Sequence, residues 1–323
     1  MRIGIVGATG KVGRMMLACL EESDIKYDEL VLFASAKSAG STVEHNGREY
    51  VIQETNSGSF ARGFDYLLFS AGGSVSKEYA PYAIDVGATV IDNSSAFRRD
   101  DNIPLVIPEI NGHLLNSYKG IIANPNCSTI QLLLVLKPLN DYVKIKKVVV
   151  TTLQSVSGSG YNGINELHNQ RKGIFEKGIY PRQIDLNVIP QIGDMEENQY
   201  SQEENKMTYE TKKILNDKDF NLVATTVRVP VVYGHSESVY IEFENRVDIK
   251  DIKELLSKNE AIDLQDKYIT PLEIGDSDLS HVSRIRYAGD DKSIFLWNVA
   301  HNVRLGAATN AVKILKLAAM NKY

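Results

Sequence analysis

The chain has 323 residues, of which 43% are hydrophobic, and a formal net charge of -5. This length allows a large core and two domains, and the mild, scattered charge gives no sign of a nucleic-acid or membrane partner. No apolar run approaches the ~20 residues that span a bilayer, and the N-terminus has no signal-peptide layout. Two cysteines, Cys19 and Cys127, do not make a disulfide framework. We therefore expect a soluble, reduced, cytoplasmic protein.

The first part of the chain alternates apolar runs with helical stretches. Continuous apolar strands suit a parallel sheet that is covered on both faces. The strand–helix alternation predicts a doubly wound α/β domain. The predicted strands are residues 2–8, 29–35, 65–72, 89–93 and 120–125, with helices at 12–22 and 75–86.

After Leu136 the strands become longer and alternate apolar with polar residues, at 146–156 and 222–244. This pattern is typical of a sheet with one face exposed or packed on helices. Residues 193–216 begin as a loop and end as a helix. The last segment, 304–320, is apolar at helical spacing, and we expect it to close the chain against the first domain.

A glycine-rich turn, "GATGKVG" (7–13), follows the first strand and opens a helix. Glycines permit a sharp turn and close backbone approach, while the helix N-terminus offers N–H donors to an anion. The turn therefore predicts dinucleotide binding, and a bare tight turn is the alternative.

The residues after the second strand bear on which cofactor binds. Folds that use NAD often place an acidic residue here, but "FASAKSAG" (33–40) has none. Ser35, Lys37 and Ser38 offer hydroxyls and a cation that suit a 2′-phosphate. We expect NADP rather than NAD; the alternative is that Lys37 is a solvated surface lysine.

Cys127 lies in "NPNCSTIQLLLVL" (124–136), after a turn and beside the start of an apolar helix, whose pattern begins at Ser128. A helix N-terminus lowers a thiol pKa and favours the nucleophilic thiolate. The alternative is a buried structural cysteine, which Cys19 in "MMLACLEE" fits well. From the residues alone both interpretations of Cys127 stay open.

"RVPVVYGHSESVYIE" (228–242) contains Arg228 and His235, which an unbroken strand would point to opposite faces. Gly234 predicts a bulge or turn that lets both reach one cleft. His235 could serve as an acid and base or be structural. Two charged motifs, "SSAFRRD" (94–100) and "EENK" (203–206), suit anion binding or a solvated surface.

The chain resembles the aspartate-semialdehyde dehydrogenases of bacterial type. The motifs that carry the resemblance, in the order seen in that family, are "GATGKVG", "NSSAFRRD", "PLVIPEIN", "NPNCSTIQ", "RVPVVYGHSESV" and "HNVRLGAA". The resemblance covers nearly the whole chain. We therefore expect an α/β fold with a Rossmann-like, doubly wound dinucleotide-binding domain plus an α+β catalytic and dimerisation domain. The expected boundaries are 1–126 with the C-terminal helix 303–323 for the first domain, and 127–302 for the second.

The resemblance implies NADPH-dependent reductive dephosphorylation of L-4-aspartyl phosphate to L-aspartate 4-semialdehyde through a cysteine thioester. This reaction serves lysine, threonine, methionine and diaminopimelate biosynthesis. It implies NADP(H) as cofactor, no metal, inorganic phosphate as a partner, and a homodimer or homotetramer. The alternatives are another acyl-phosphate reductase, such as N-acetylglutamyl-phosphate reductase, or a non-catalytic NADP-binding protein.

The resemblance also implies a role for each matching position. Cys127 is the expected nucleophile, His235 the acid–base residue and Gln154 the residue that positions the substrate. Arg228 is expected to bind the substrate carboxylate and Glu203 its ammonium group. Arg98 and Lys206 are expected to bind the phosphate, with Arg99 as the alternative to Arg98. Asn126 and the Cys127 backbone N–H are candidate oxyanion donors. The expected cofactor-binding residues are Gly7, Thr9, Gly10, Lys11, Val12, Ser35, Lys37, Ser38, Ser157, Gly158 and Asn302.

Overall fold

The structure is a computed structural model that describes residues 1–320. It divides into two units, Met1–Pro125 with the chain from Ala307 onward, and Asn126–Gly306. The domain boundaries that the sequence predicts stay predictions, and residues 321–323 of the expected C-terminal helix lie outside the described residues.

The described residues form strands and helices whose bounds are as follows. The strands are β1 Arg2–Val6, β2 Glu29–Ala34, β3 Thr42–His45, β4 Arg48–Val51, β5 Gln53–Glu54, β6 Tyr66–Phe69, β7 Thr89–Asp92, β8 Ile121–Ala123, β9 Ile145–Gln154, β10 Leu222–Arg228, β11 His235–Phe243, β12 Ile262–Leu264, β13 Ser280–Tyr287 and β14 Ser293–Ala300. The α-helices are α1 Lys11–Glu22, α2 Gly73–Asp85, α3 Pro108–Asn111, α4 Cys127–Tyr142, α5 Gly160–Arg171, α6 Gln202–Ile214, α7 Ile249–Ser257 and α8 Asn310–Met320.

The first unit is built on a six-stranded sheet in the order β5-β2-β1-β6-β7-β8. All of its neighbouring strands run parallel. The strands are short and apolar, and all four residues of β6 and of β7 are buried. Such strands need cover on both faces, so the expected parallel, doubly wound sheet is confirmed.

Two separate apolar clusters cover the two faces of this sheet. One combines residues of α1 and α8, such as Met16, Leu20 and Ile314, with β1 residues Ile3 and Ile5. The other combines Ala80 and Ala83 of α2 with aromatic side chains such as Phe33 and Phe69. The expected closing helix therefore packs on the first unit, although its beginning, Arg304–Thr309, is a π-helical turn.

The second unit has a mixed six-stranded sheet in the order β10-β9-β11-β14-β13-β12. β9 pairs parallel with β10 and antiparallel with β11. Burial alternates along β9 and β10, which leaves one sheet face half-exposed. The second sheet confirms the expected α+β architecture. Residues 222–244 form two strands that are separated near Gly234, where the sequence predicts a break.

Among residues 1–320, the helices are all too short or too polar to cross a membrane.

Candidate active site

Cys127 is the first residue of α4, one position before the start that the sequence indicates. Asn126 caps the helix, because its Oδ1 accepts hydrogen bonds from the backbone N–H groups of Ser128 at 3.0 Å and Thr129 at 3.2 Å. The Cys127 side chain is partly exposed, whereas Cys19 is buried. The predicted helix-terminal position of Cys127 is confirmed, and the positive end of the helix dipole favours a thiolate there.

Gly306 packs directly against the backbone of Cys127. A Cβ added at Gly306 would lie 2.7 Å from Cys127 Cβ and 3.0 Å from its Cα. Neither atom belongs to a flexible side-chain end, so a larger residue would have to displace the start of α4. Glycine at position 306 therefore permits this placement of the thiol.

Glu203 gathers three other residues that the sequence assigns to the site. Its Oε1 accepts hydrogen bonds from Asn126 Nδ2 at 2.8 Å and from Gln154 Nε2 at 3.3 Å. Its Oε2 pairs with Lys206 Nζ at 3.2 Å, one helical turn along α6. Glu203 is only 6% exposed. The cluster therefore links the residue before the candidate nucleophile to the end of β9.

Glu203 is a carboxylate in this cluster. Burial alone would raise its pKa, but the charge of Lys206, the hydrogen bond from Asn126 and the charge of Arg228 together lower it below its usual value. A buried carboxylate with this many donors is held in one orientation. It can present a negative charge to a cationic group of a substrate.

Arg228 and His235 lie on either side of the end of β9. Arg228 closes β10, where it is in register with Gln154, and His235 opens β11, next to the pair Ser236–Leu153. Arg228 Nη1 donates to the Ser155 carbonyl at 2.7 Å. Gly234, with a φ of +88°, precedes His235 in a turn that favours glycine. The expectation that both side chains reach one place despite their odd spacing is therefore confirmed.

His235 is fully buried, and the backbone N–H of Ser155 donates to its Nδ1 at 3.1 Å. Because Nδ1 accepts this bond, the neutral ring carries its proton on Nε2. Nε2 has no hydrogen-bond partner among residues 1–320. Burial, followed by the positive charge of Arg228, lowers the pKa of His235 to about 3. The site therefore holds a neutral imidazole that presents an Nε2–H donor.

Asn302 forms hydrogen bonds to both the loop after β9 and the turn before β11. Its Oδ1 accepts hydrogen bonds from Ser155 Oγ at 3.1 Å, Ser157 Oγ at 3.2 Å and the Gly234 N–H at 3.0 Å. A Cβ at Gly158 would lie 2.8 Å from Arg228 Nη1. Three expected cofactor-binding residues thus lie beside His235 and Arg228, with Asn302 and Ser157 buried and Gly158 exposed.

The glycine turn of the first unit fits a pyrophosphate. Gly7 has a φ of +87°, and a Cβ there would lie 2.8 Å from the Ser70 backbone. A Cβ at Gly13 would lie 2.2 Å from the Gly7 carbonyl oxygen, so α1 packs tightly on the turn. Gly10 is the N-cap of α1 and has no capping side chain, and the first helical turn carries no acidic residue. These features leave the helix N-terminus suited to an anion.

The end of β2 lies beside this turn, because Gly7 N–H and Ala8 N–H donate to the Phe33 carbonyl at 2.8 and 3.0 Å. Ser35 and Lys37 follow as exposed residues, and Ser38 is half-buried. The expected hydroxyl and lysine groups are therefore at the carboxyl end of the strand that neighbours β1.

Arg98 and Arg99 differ in their surroundings. Arg98 is 6% exposed, and its Nη2 donates to the Asn93 carbonyl at 3.0 Å. Arg99 is exposed. Which of the two binds phosphate stays a prediction.

Comparison with known proteins decides the family. The aspartate-semialdehyde dehydrogenase of Aquifex aeolicus (strain VF5) is 45% identical over 330 residues, covering 98% of this chain and 97% of the relative. That of Bacillus subtilis (strain 168) is 44% identical and covers 97% and 96%. The chain belongs to the aspartate-semialdehyde dehydrogenase family. The resemblance that the motifs indicate is confirmed.

The family models and solved structures agree with this membership. Residues 2–118 match the semialdehyde dehydrogenase NAD binding domain, and residues 136–305 match the semialdehyde dehydrogenase dimerisation domain. Aspartate semialdehyde dehydrogenase II of Vibrio cholerae, solved as a complex with ASA, has a TM-score of 0.95 at 42% identity. The match covers 100% of this chain and 99% of that one. The predicted fold class is confirmed.

Sequence reasoning missed two residues that shape the site of this family member. Ser155 fixes the His235 tautomer through its backbone N–H. Every residue except proline has this group, so the residue type gives no signal. Gly306 lies within the motif "HNVRLGAA" and against Cys127, but the sequence pattern did not assign it to the site. A glycine inside an apolar helical pattern is the signal that points to close backbone approach.

Proposed function

We propose that this chain catalyses the NADPH-dependent conversion of L-4-aspartyl phosphate to L-aspartate 4-semialdehyde with release of phosphate. The observation that carries the proposal is the cluster in which Asn126, next to Cys127, shares the Glu203 carboxylate with Gln154 and Lys206. Such a cluster combines a nucleophile at a helix terminus with charges of both signs. The substrate carries a carboxylate, an ammonium group and a phosphate, which match that set.

Cys127 is the nucleophile in this proposal. Its thiolate attacks the acyl carbon, a carbon–sulfur bond forms, and the carbon–oxygen bond to phosphate breaks with its electron pair leaving on phosphate. The product is a thioester on Cys127, which accepts hydride more readily than a free acid. The start of α4 stabilises the thiolate before the attack.

His235 acts on the oxygen of the reacting carbonyl. The neutral ring carries its proton on Nε2 because Ser155 N–H occupies Nδ1. An Nε2–H donor in a buried site stabilises negative charge that develops on the oxygen of the tetrahedral intermediate. Protonation to imidazolium would place a second donor against the Ser155 N–H. The tautomer thus favours hydrogen-bond donation, and the acid–base role that the resemblance implies stays a prediction.

The charged residues would bind the rest of the substrate. We assign the ammonium group to Glu203 and the carboxylate to Arg228, whose planar fork suits bidentate recognition. Lys206 and Arg98 are assigned to the phosphate, with Gln154 positioning the acyl group. Asn126 already caps α4 and donates to Glu203, so its use as an oxyanion donor competes with those contacts.

NADP(H) would be held by the glycine turn and the end of β2, with Lys37 and the neighbouring serines at the 2′-phosphate. When bound, it supplies the hydride that reduces the thioester. The residues that we assign to it are Gly7, Thr9, Gly10, Lys11, Val12, Ser35, Lys37, Ser38, Ser157, Gly158 and Asn302. We further propose a cytoplasmic homodimer or homotetramer assembled through the second unit, which a dimerisation-domain family model supports.

An assay in the reverse direction tests the function. Aspartate semialdehyde, inorganic phosphate and NADP should together give NADPH, with omission of phosphate abolishing turnover and NAD replacing NADP poorly. The same assay with N-acetylglutamate semialdehyde tests the alternative reductase. A clear preference for that aldehyde would overturn the assigned substrate, and loss of all turnover with intact NADP binding would favour a non-catalytic protein.

A further inference from the structure

The sheet face that packs on α4 carries a polar group that the proposed reaction does not use. Glu237 lies two residues after His235 on β11, so both side chains are on the same face of the strand. It pairs in register with Asn298 of β14 and Thr152 of β9. Glu237, Asn298 and Thr152 are all fully buried.

Asn298 connects Glu237 to the helix of the candidate nucleophile. Its Nδ2 donates to Glu237 Oε2 at 3.0 Å and to the Gln131 carbonyl of α4 at 3.2 Å. Ser280 Oγ donates to Asn298 Oδ1 at 2.7 Å and fixes the orientation of that amide. Gln131 lies one helical turn after Cys127, and its Nε2 donates to the His235 carbonyl at 3.3 Å. The network therefore joins the Cys127 helix to the His235 strand.

Glu237 has no cationic partner among residues 1–320, and its Oε1 has no hydrogen-bond partner there. A fully buried carboxylate without a cation is costly, so the neutral acid is the favoured form.

We propose that Glu237 is a neutral carboxylic acid that positions Cys127 and His235, because it is fully buried without a cation and its Oε2 accepts from Asn298, which also binds the backbone of α4. It is a positioning residue, since it acts through Asn298 and β11 and not on the substrate. The kinetic part of this proposal rests on the proposed function.

The surroundings of Glu237 favour the neutral form. The groups that face it are uncharged, namely Gln131 from α4, Asn298 from β14 and Thr152 from β9, and the nearest titratable group on its own strand is the neutral His235. Burial raises the pKa of Glu237 to about 8, against smaller lowering effects of Gln131 and Asn298. Ionisation would place an uncompensated charge between the helix and the sheet.

Infrared spectroscopy of the full-length protein tests the protonation state without any substrate. At slightly acidic to neutral pH the wild type should show the carbonyl stretch of a protonated carboxyl group, and Glu237→Gln should lack it. The band should disappear as the pH rises through about 8. A spectrum in which the wild type and Glu237→Gln have the same carboxyl bands would overturn the proposal, whatever reaction the chain catalyses.

Steady-state kinetics tests the positioning role. Glu237→Gln keeps a neutral hydrogen-bonding group, so its kcat at neutral pH should stay within about twofold, while Glu237→Leu should lose about tenfold or more, the effect of one buried hydrogen-bonded group. KM should change little in either variant. The wild type should also lose kcat as the pH rises past about 8, and Glu237→Gln should lose less.

A matched control lies on the same strand. Glu242 points to the other sheet face and pairs with Lys146 at 2.7 Å, so Glu242→Gln should follow the wild-type pH profile. Wild-type kcat in Glu237→Leu, or an alkaline profile of Glu237→Gln that matches that of Glu242→Gln, would overturn the positioning role. If Glu237→Leu does not fold, the comparison of the two glutamine variants still decides the question.

Discussion

The backbone N–H of Ser155 donates to Nδ1 of His235 at 3.1 Å, across 80 residues of sequence. This contact places the end of β9 against the start of β11 and leaves Nε2–H as the side of the ring that is available for chemistry. The same loop backbone accepts from Arg228 through the Ser155 carbonyl. One short segment therefore sets the orientation of both side chains.

The depressed pKa of His235 predicts an acid-sensitive fold. The ring has a pKa of about 3 in the folded protein and 6.5 as its ordinary value, so between these limits only the unfolded chain binds the proton. The free energy of unfolding should therefore fall as the pH drops from about 6.5 towards 3, and this contribution should be complete above 6.5.

Denaturant midpoints across this pH range measure the effect. His235→Asn should lose less stability on acidification than the wild type does. His168 is exposed, so His168→Asn is the matched control and should follow the wild type. Equal pH dependence in all three proteins would contradict a buried neutral His235.

Gly306→Ala tests the close packing at the nucleophile. The added methyl group would lie 2.7 Å from Cys127 Cβ, so the start of α4 must shift. A shift of about 1 Å in the position of a nucleophile lowers kcat about 100-fold. Overpacking lowers the free energy of unfolding by about 1–3 kcal/mol. Cofactor binding should stay near the wild-type value.

The control for this substitution is Gly58→Ala. A Cβ there meets only the flexible Asn56 side chain at 3.4 Å, and Gly58 is exposed. Its kcat should equal that of the wild type. Wild-type kcat in Gly306→Ala would show that the position of α4 does not limit the reaction.

Glu203→Gln tests the shared carboxylate. The substitution removes a charge that pairs with Lys206 and accepts from Asn126 and Gln154. Hydrogen bonds to a charged group are worth about 1.5–3 kcal/mol, so kcat/KM should fall about 10- to 100-fold, with a raised KM for the aldehyde. Exposed Glu197 supplies the control, since Glu197→Gln should leave both constants unchanged. Unchanged KM in Glu203→Gln would argue against the ammonium contact.

The parallel strands of the first unit were predicted well because their apolar composition can be read from short stretches of sequence. Apolar runs such as 29–35 can be buried only in a sheet covered on both faces, and β2 forms there. The small hairpin of β3 and β4 was missed, although the Asn46–Gly47 pair between its strands is a turn signal. β12, β13 and β14 were also missed, although Gly289 and the two aspartates that follow it between β13 and β14 are turn residues.

For the candidate active site, the sequence also predicted the features that depend on neighbouring residues and missed the contacts between distant ones. Cys127 was placed at a helix start because turn residues precede an apolar helix within a few positions. The bond from Asn126 to Glu203 joins residues 77 apart, and no periodicity relates them. The contact of Gly306 with Cys127 depends in the same way on the folded chain. The residue types were predictable, but the partners of each required the structure.

Cys127 receives the acyl group in the proposed reaction, and intact-protein and peptide mass spectrometry tests this step most directly. Enzyme mixed with L-4-aspartyl phosphate in the absence of NADPH should carry one aspartyl adduct, labile to hydroxylamine, on the peptide that contains Cys127. Cys127→Ala should carry none while still binding NADPH. An adduct on the Cys19 peptide, or turnover that persists in Cys127→Ala, would contradict the account.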